Sequence, residues 1–211
     1  MIPSLGVMES LLNSIMKNID PFEVNHFYHI FNKTINKEKL FYSNRNYPFF
    51  LKRYKNYLSE YLDTYSYCLI PNHFHLLARL KPDLDSTKDI DKKITDQFRK
   101  FFISYVQSIN KEQDRTGSLL QKKFKRKRIK NKAHLLWAIY YIHKNPIHHN
   151  LDTKFENYRW SSYRTLSEKS SKNTALKKEE VLKLFGGQSA FTEFHRKNLE
   201  MDKKYNYLVL E

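Results

Sequence analysis

Apolar and polar residues alternate along this chain in two different periods, and the switches between them mark out its elements. Residues 26–35, HFYHIFNKTI, are aromatic and β-branched and predict a strand. Phe27, His29 and Phe31 alternate there with Tyr28, Ile30 and Asn32, so both faces have the makings of cover. Over 47–65 the spacing becomes helical, with Phe50, Leu51, Tyr54, Tyr57, Leu58 and Tyr61 on one side and Pro48 in the first turn. Residues 65–80, YSYCLIPNHFHLLARL, read as a strand broken or bulged at 71–72, because proline cannot donate to a ladder. A long helix follows over 88–110, carrying Ile90, Ile94, Phe98, Phe101, Phe102, Tyr105 and Ile109.

Residues 119–130 predict a basic strand, and 131–145 predict a helix with Asn131 as its N-cap and Pro146 as its stop. A Ser/Lys-rich linker at 167–174 leads to a last helix at 175–185 and a Gly186-Gly187 turn. A weaker amphipathic pattern covers 5–18. Strands and long helices in this order predict α+β or α/β, with an antiparallel sheet covered by helices. Three segments result: an N-terminal helical extension (1–25), a main domain (26–165) and a C-terminal linker with a small helical appendage (166–211).

Charge narrows the partners. The formal net charge is +16, from 38 Lys+Arg against 22 Asp+Glu, which favours polyanions, either nucleic acid or an anionic membrane surface. No apolar run approaches the roughly 18 residues of a membrane span, and the N-terminus lacks the pattern of a signal peptide. With one cysteine, Cys68, an intrachain disulfide and a cysteine zinc cluster are excluded. Its apolar setting predicts a buried thiol. Four glycines leave little for a Gly-rich nucleotide loop.

Three constellations carry candidate chemistry. His73 and His75 flank Phe74; on a strand they share one face, about 6.6 Å apart. They fit either the wet face of a half-buried strand or a pair of ligands for Mn, Zn, Fe, Ni or, near phosphate, Mg. Tyr141 and Asn145 are four apart, on one helix face. They fit a nucleophile with an amide ligand, or an ordinary helix residue with a helix-end cap. The run 121–130 holds seven Lys or Arg in ten residues, enough for a phosphate-binding strip or a solvated loop.

Taken in order, these segments resemble the IS200-like single-tyrosine transposases of the HUH endonucleases, closest to the branch associated with repetitive extragenic palindromes. FYHIFNKT resembles the opening strand, with Lys33 where arginine is usual. YSYCLIPNHFHLLARL resembles the histidine strand, with Ile70 where methionine is common. Gly117, Ser118, Leu119, Leu120 and Gln121 resemble a Gly-Ser-Leu-Phe-Gln segment followed by basic residues. YIHKNPIHHNL resembles the tyrosine helix with its Asn-Pro stop, and YRWSSYRTL a Trp-Ser-Ser-Tyr signature. The likeness covers about 26–165; residues 146–150 and the tail depart from it.

The resemblance implies a ferredoxin-like α+β core with a central antiparallel sheet. It implies Tyr141 as the nucleophile on a DNA phosphodiester, leaving a 5′-phosphotyrosine link and a free 3′-OH. His73, His75 and Asn145 would hold a divalent metal, Mg2+ or Mn2+. Lys33, Gln121, Lys122, Lys123, Lys125, Arg126, Lys127 and Arg128 would contact single-stranded DNA beside a hairpin. A monomer or homodimer in the bacterial cytoplasm, associated with the nucleoid, is the expected setting. The alternative is a domesticated, non-catalytic binder of DNA hairpins. Replication initiators and relaxases of the wider class are generally larger.

Overall fold

The computed structural model describes residues 19–85, 89–168 and 176–197. The pattern at 5–18 lies outside them. The strands are β1 (Phe27–Lys33), β2 (Leu62–Ile70), β3 (His73–Leu80) and β4 (Lys125–Arg128). The six helices among the described residues are α1 (Asn46–Leu58), α2 (Ile90–Glu112), α3 (Lys132–His148), α4 (Tyr163–Ser167), α5 (Lys178–Phe185) and α6 (Gln188–Lys197). The sheet runs β2-β3-β1-β4, with every neighbouring pair antiparallel. With α1 between β1 and β2, and α2 between β3 and β4, this is the ferredoxin-like α+β arrangement.

Helices cover both faces. Tyr47, Phe50, Tyr54 and Leu58 of α1, with Ile94, Phe98, Phe101, Tyr105 and Ile109 of α2, recur at helical spacing. They bury Tyr28, Ile30, Phe74, Leu76 and Ala78 of the sheet. The start of α1 is tied to the end of α2: Asn46 Nδ2 donates to Glu112 Oε2 at 2.8 Å, and Arg45 pairs with the same carboxylate at 2.9 Å. On the other face Ile139 and Ile142 of α3 meet Tyr65, Cys68, Ile70 and Leu77. Leu166, Val181 and Phe191 of the last three helices close that core. Cys68 is buried, and burial pushes its thiol pKa well up.

Four boundaries differ from the sequence pattern. The first helix ends at Leu58, and residues 62–65 open β2. A strand covered on both faces shows no alternation, so its first residues extend a helical stripe unnoticed. A register shift between Thr64 and Ser66 marks a bulge, which lets Leu62 and Leu69, an odd step apart, reach the same core. Pro71 does not interrupt one strand; with Asn72 it turns the β2–β3 hairpin. A proline there loses no ladder bond, and its carbonyl accepts from Leu40 N at 2.6 Å and Phe41 N at 3.1 Å.

The basic strand is only four residues long, because Leu119 and Leu120 turn into the first core. Asn131 does cap α3, accepting from His134 N at 2.9 Å. However, α3 continues through Pro146 to His148. A proline so near the end removes one backbone donor and leaves the earlier turns intact. The last turn is closed instead by His149 N to Asn145 O at 3.0 Å and Leu151 N to Pro146 O at 2.8 Å. After α5, Gly186 takes a φ of 91° that a side chain would resist, and α6 follows, which the sequence pattern did not predict.

A buried polar chain crosses this second core. His195 Nδ1 lies 2.8 Å from the Phe191 carbonyl, which can only accept, so that nitrogen carries the proton. His195 Nε2 therefore accepts from His143 Nδ1 at 2.9 Å, and His143 Nε2 accepts from Ser162 Oγ at 2.8 Å. Both rings are fully buried. The bonds fasten α6 to α3 two residues after Tyr141.

Candidate active site

Strand alternation sets the floor of the site. Phe74 points into the α1–α2 core, so His73 and His75 point to the α3 side. On β1, Tyr28 and Ile30 take the first side and His29 and Phe31 the second. The antiparallel register sets Phe31 opposite His75 and Lys33 opposite His73. His29 and His75 thus lie on a diagonal, with His29 Nε2 2.9 Å from His75 Nδ1. The His73 and His75 rings are 5.0 Å apart and nearly perpendicular, at 79°. His73 Nδ1 is 2.8 Å from Asn72 Oδ1, an oxygen that can only accept. The proton of His73 is therefore on Nδ1, and Nε2 presents its lone pair.

Helix α3 lays Tyr141 across these rings. Its centroid is 6.0 Å from His75 and 6.1 Å from His29, edge-on to both. Because the helix persists through Pro146, His148 also reaches Tyr141, at 5.6 Å. His149, just beyond, lies 4.5 Å from His73. Asn145 is fully buried one turn after Tyr141. Its Nδ2 donates to the Tyr141 carbonyl at 3.0 Å, while its Oδ1 is buried without a hydrogen-bond partner. An acceptor left so is costly and suits a cation or an incoming donor.

These donors fit a divalent ion in kind: two imidazoles, one with its lone pair on Nε2, and one orphaned amide oxygen. Among the described residues no group of three or more His, Cys, Asp or Glu is placed to hold a metal. An ion here would take the remainder of its shell from Asn145, water and phosphate oxygens, as a hard cation does.

The basic run divides by alternation. Lys125 lies opposite Phe31 and Lys127 opposite His29, on the histidine side. Lys125 Nζ sits 5.8 Å from the Phe31 ring. Burial, and then the neighbouring Lys125, lower the pKa of Lys127. Arg126 faces the other way and is buried. Its guanidinium pairs with Asp91 at 2.7 Å, donates to the Asp20 carbonyl at 2.6 Å and Thr95 Oγ1 at 2.9 Å, and stacks 4.3 Å from the Phe22 ring. Arg128 pairs with Glu23 at 2.9 Å and bonds His26. Both arginines are thus engaged with protein, unlike the exposed Lys33, Lys122 and Lys123.

Gln121 is half-buried; its backbone accepts from Asn32 Nδ2 at 3.0 Å and donates to the Lys33 carbonyl at 2.9 Å. Phe31, Lys33, His73, Gln121 and Lys125 line a cavity of about 10 Å3, room for one water. Gln121, Lys122 and Lys123 also border a groove of about 840 Å3 against α2, floored by Phe102, Val106 and Phe124.

The structure therefore brings His73, His75, Tyr141, Lys125 and Lys127 to one face of the sheet, and it directs Arg126 and Arg128 to other partners. Sequence reasoning passed over His29, Asn72 and His149. His29 shares a face with Phe31 by simple alternation, but its approach to His75 depends on strand register. His148 was set aside because Pro146 was read as a stop.

No protein-family model and no curated protein matches this chain. Among solved structures, a REP-associated tyrosine transposase bound to a REP hairpin is similar, with a TM-score of 0.58 over 75% of this chain and 88% of that one. At 12% identity, the likeness is one of fold.

Proposed function

We propose that this chain is a transposase-like protein that binds DNA hairpins and cleaves and rejoins single-stranded DNA through Tyr141. The single observation that carries the reading is the placement of the Tyr141 ring 6.0 Å from His75, with the His73 ring of the same strand 5.0 Å from His75. The similarity of fold to a hairpin-bound tyrosine transposase supports the same direction.

In this reading Tyr141 Oη attacks the phosphorus and the P–O3′ bond opens. The chain is then held as a 5′-phosphotyrosine, and the departing oxygen takes a proton to become a 3′-OH. The phenol proton passes to a neighbouring imidazole or to solvent. One phosphodiester replaces another, so the step reverses and no external energy source is needed. His73, His75 and the Asn145 amide oxygen would hold Mg2+ or Mn2+. When bound, such an ion supplies positive charge next to the phosphoryl oxygens. Lys125 and Lys127, beside the imidazoles, would meet the phosphates flanking the scissile one. Lys33, Gln121, Lys122 and Lys123 would carry more of the strand or its hairpin, with salt-dependent affinity.

The test is a 3′-labelled panel of single-stranded hairpins with Mn2+, resolved on a denaturing protein gel. Wild type should shift the label to the mass of the protein, and Tyr141→Phe should not. An adduct that persists in Tyr141→Phe refutes the nucleophile. The likeness of fold to a hairpin-bound transposase, at 12% identity, supports a second reading equally, a hairpin binder without cleavage. Tight binding with no adduct on any hairpin that is bound would select it.

A further inference from the structure

We infer that His29 is a positioning residue that fixes the tautomer of His75, so that Nε2 of His75 can accept a metal. The inference rests on the ligand role proposed for His73 and His75. His29 Nε2 and His75 Nδ1 are 2.9 Å apart, and both rings are buried. Such a contact holds one proton, and its direction has a chemical consequence. If His29 donates, His75 Nδ1 is the acceptor, its proton must lie on Nε2, and the ring cannot ligate through that atom. If His75 donates from Nδ1, Nε2 carries the lone pair. The direction of one hydrogen bond thus switches His75 between a non-ligand and a ligand.

His73 has no such choice, because the acceptor on its Nδ1 is an amide oxygen. With its own proton on Nδ1, His29 does for His75 across the sheet what Asn72 does for His73 as a neighbour. The His29 ring is held for this purpose. It stacks on Phe31 at 4.8 Å and 24°, and Lys127 lies opposite it in the β1–β4 ladder. A second imidazole in place of a carboxylate keeps the site free of added negative charge while still orienting the ligand.

The test uses the full chain without DNA. Mn2+ affinity is read by electron paramagnetic resonance for wild type, His29→Phe, His29→Gln and His75→Phe. Long-range 1H–15N spectra of histidine-labelled protein read the tautomers. Phe keeps the ring volume and removes the acceptor; Gln restores an acceptor near the position of Nε2. Melting in EDTA monitors folding of each variant. We expect the Nδ1–H form of His75 in metal-bound wild type, a loss of Mn2+ affinity of about 10–100-fold in His29→Phe, and recovery to within about threefold in His29→Gln. If His75→Phe abolishes binding while a folded His29→Phe keeps wild-type affinity, the positioning role is overturned and the ligand role stands. If wild type binds no Mn2+, or His75→Phe leaves binding unchanged, the ligand role falls and this inference falls with it.

Discussion

Replacing His195 by Phe should flatten the acid limb of the stability curve. In the folded chain His195 donates to the Phe191 carbonyl and accepts from His143, so an added proton meets a donor and not an acceptor. Burial reinforces this and pushes the pKa of His195 down to about 3 from an ordinary 6.5. His143 is pushed in the same direction, first by burial and then by His195. A base with a depressed folded pKa stabilises the fold fully above 6.5. That contribution drains as pH falls toward the folded value, because the unfolded chain takes up the proton first. From those two values His195 alone removes about 1 kcal/mol between pH 7.5 and 5.5, and about 3 kcal/mol by pH 4.5. The variant lacks this term but leaves His143 Nδ1 unpartnered, a cost of about 1–3 kcal/mol at every pH. Urea unfolding of both proteins at pH 7.5, 5.5 and 4.5 measures the two effects separately. The stability gap should narrow steadily with acidification. A gap that stays constant from pH 7.5 to 4.5 refutes a neutral, buried His195.

Three further outcomes follow from the same structure. Lys125→Gln should lower the slope of log affinity against log salt for hairpin DNA by about 1 and leave stability within about 0.5 kcal/mol. Arg126→Ala should instead cost about 2–3 kcal/mol of stability, since it removes the buried guanidinium's bonds to Asp20 and Thr95 and opens a gap over Phe22; filter binding and denaturant titration read the two. Phe74→Ala should cost about 3–5 kcal/mol, because that ring is fully buried 5.0 Å from Phe50 and fixes the residue between the two histidines; a loss under about 1 kcal/mol would show that β3 is not anchored there.

Much of this fold is written locally. The helical stripes from Phe50 to Leu58 and from Ile94 to Ile109 lie in contiguous sequence, and the alternation His73-Phe74-His75 assigns its own faces. What escaped depends on partners far along the chain. His29 and His75 are 46 residues apart, and only register joins them. Arg126 and Lys127 are indistinguishable as charges; pairing with β1 and the presence of Asp91 decide which one points inward. The break at 71–72 is legible in the proline, whereas residues 62–65 extend the helical stripe because a strand covered on both faces has no polar side to reveal its period. The persistence of α3 through Pro146 is a matter of where the proline falls in the helix, which a rule about residue types does not weigh.

The outermost strand, β4, reads KRKR and, among the described residues, pairs only with β1. An open edge is a template for a second copy of itself. Continuing this sheet into another molecule would set lysine and arginine against lysine and arginine at every rung, about 5 Å apart, where like charges repel. The charges on this border therefore oppose edge-to-edge pairing with a second copy. Lys125 and Lys127 are the side chains of this strand not taken up by the ion pairs of Arg126 and Arg128, so under the proposed function solubility and phosphate binding draw on the same two lysines, and neutralising them to weaken one would put the other at risk.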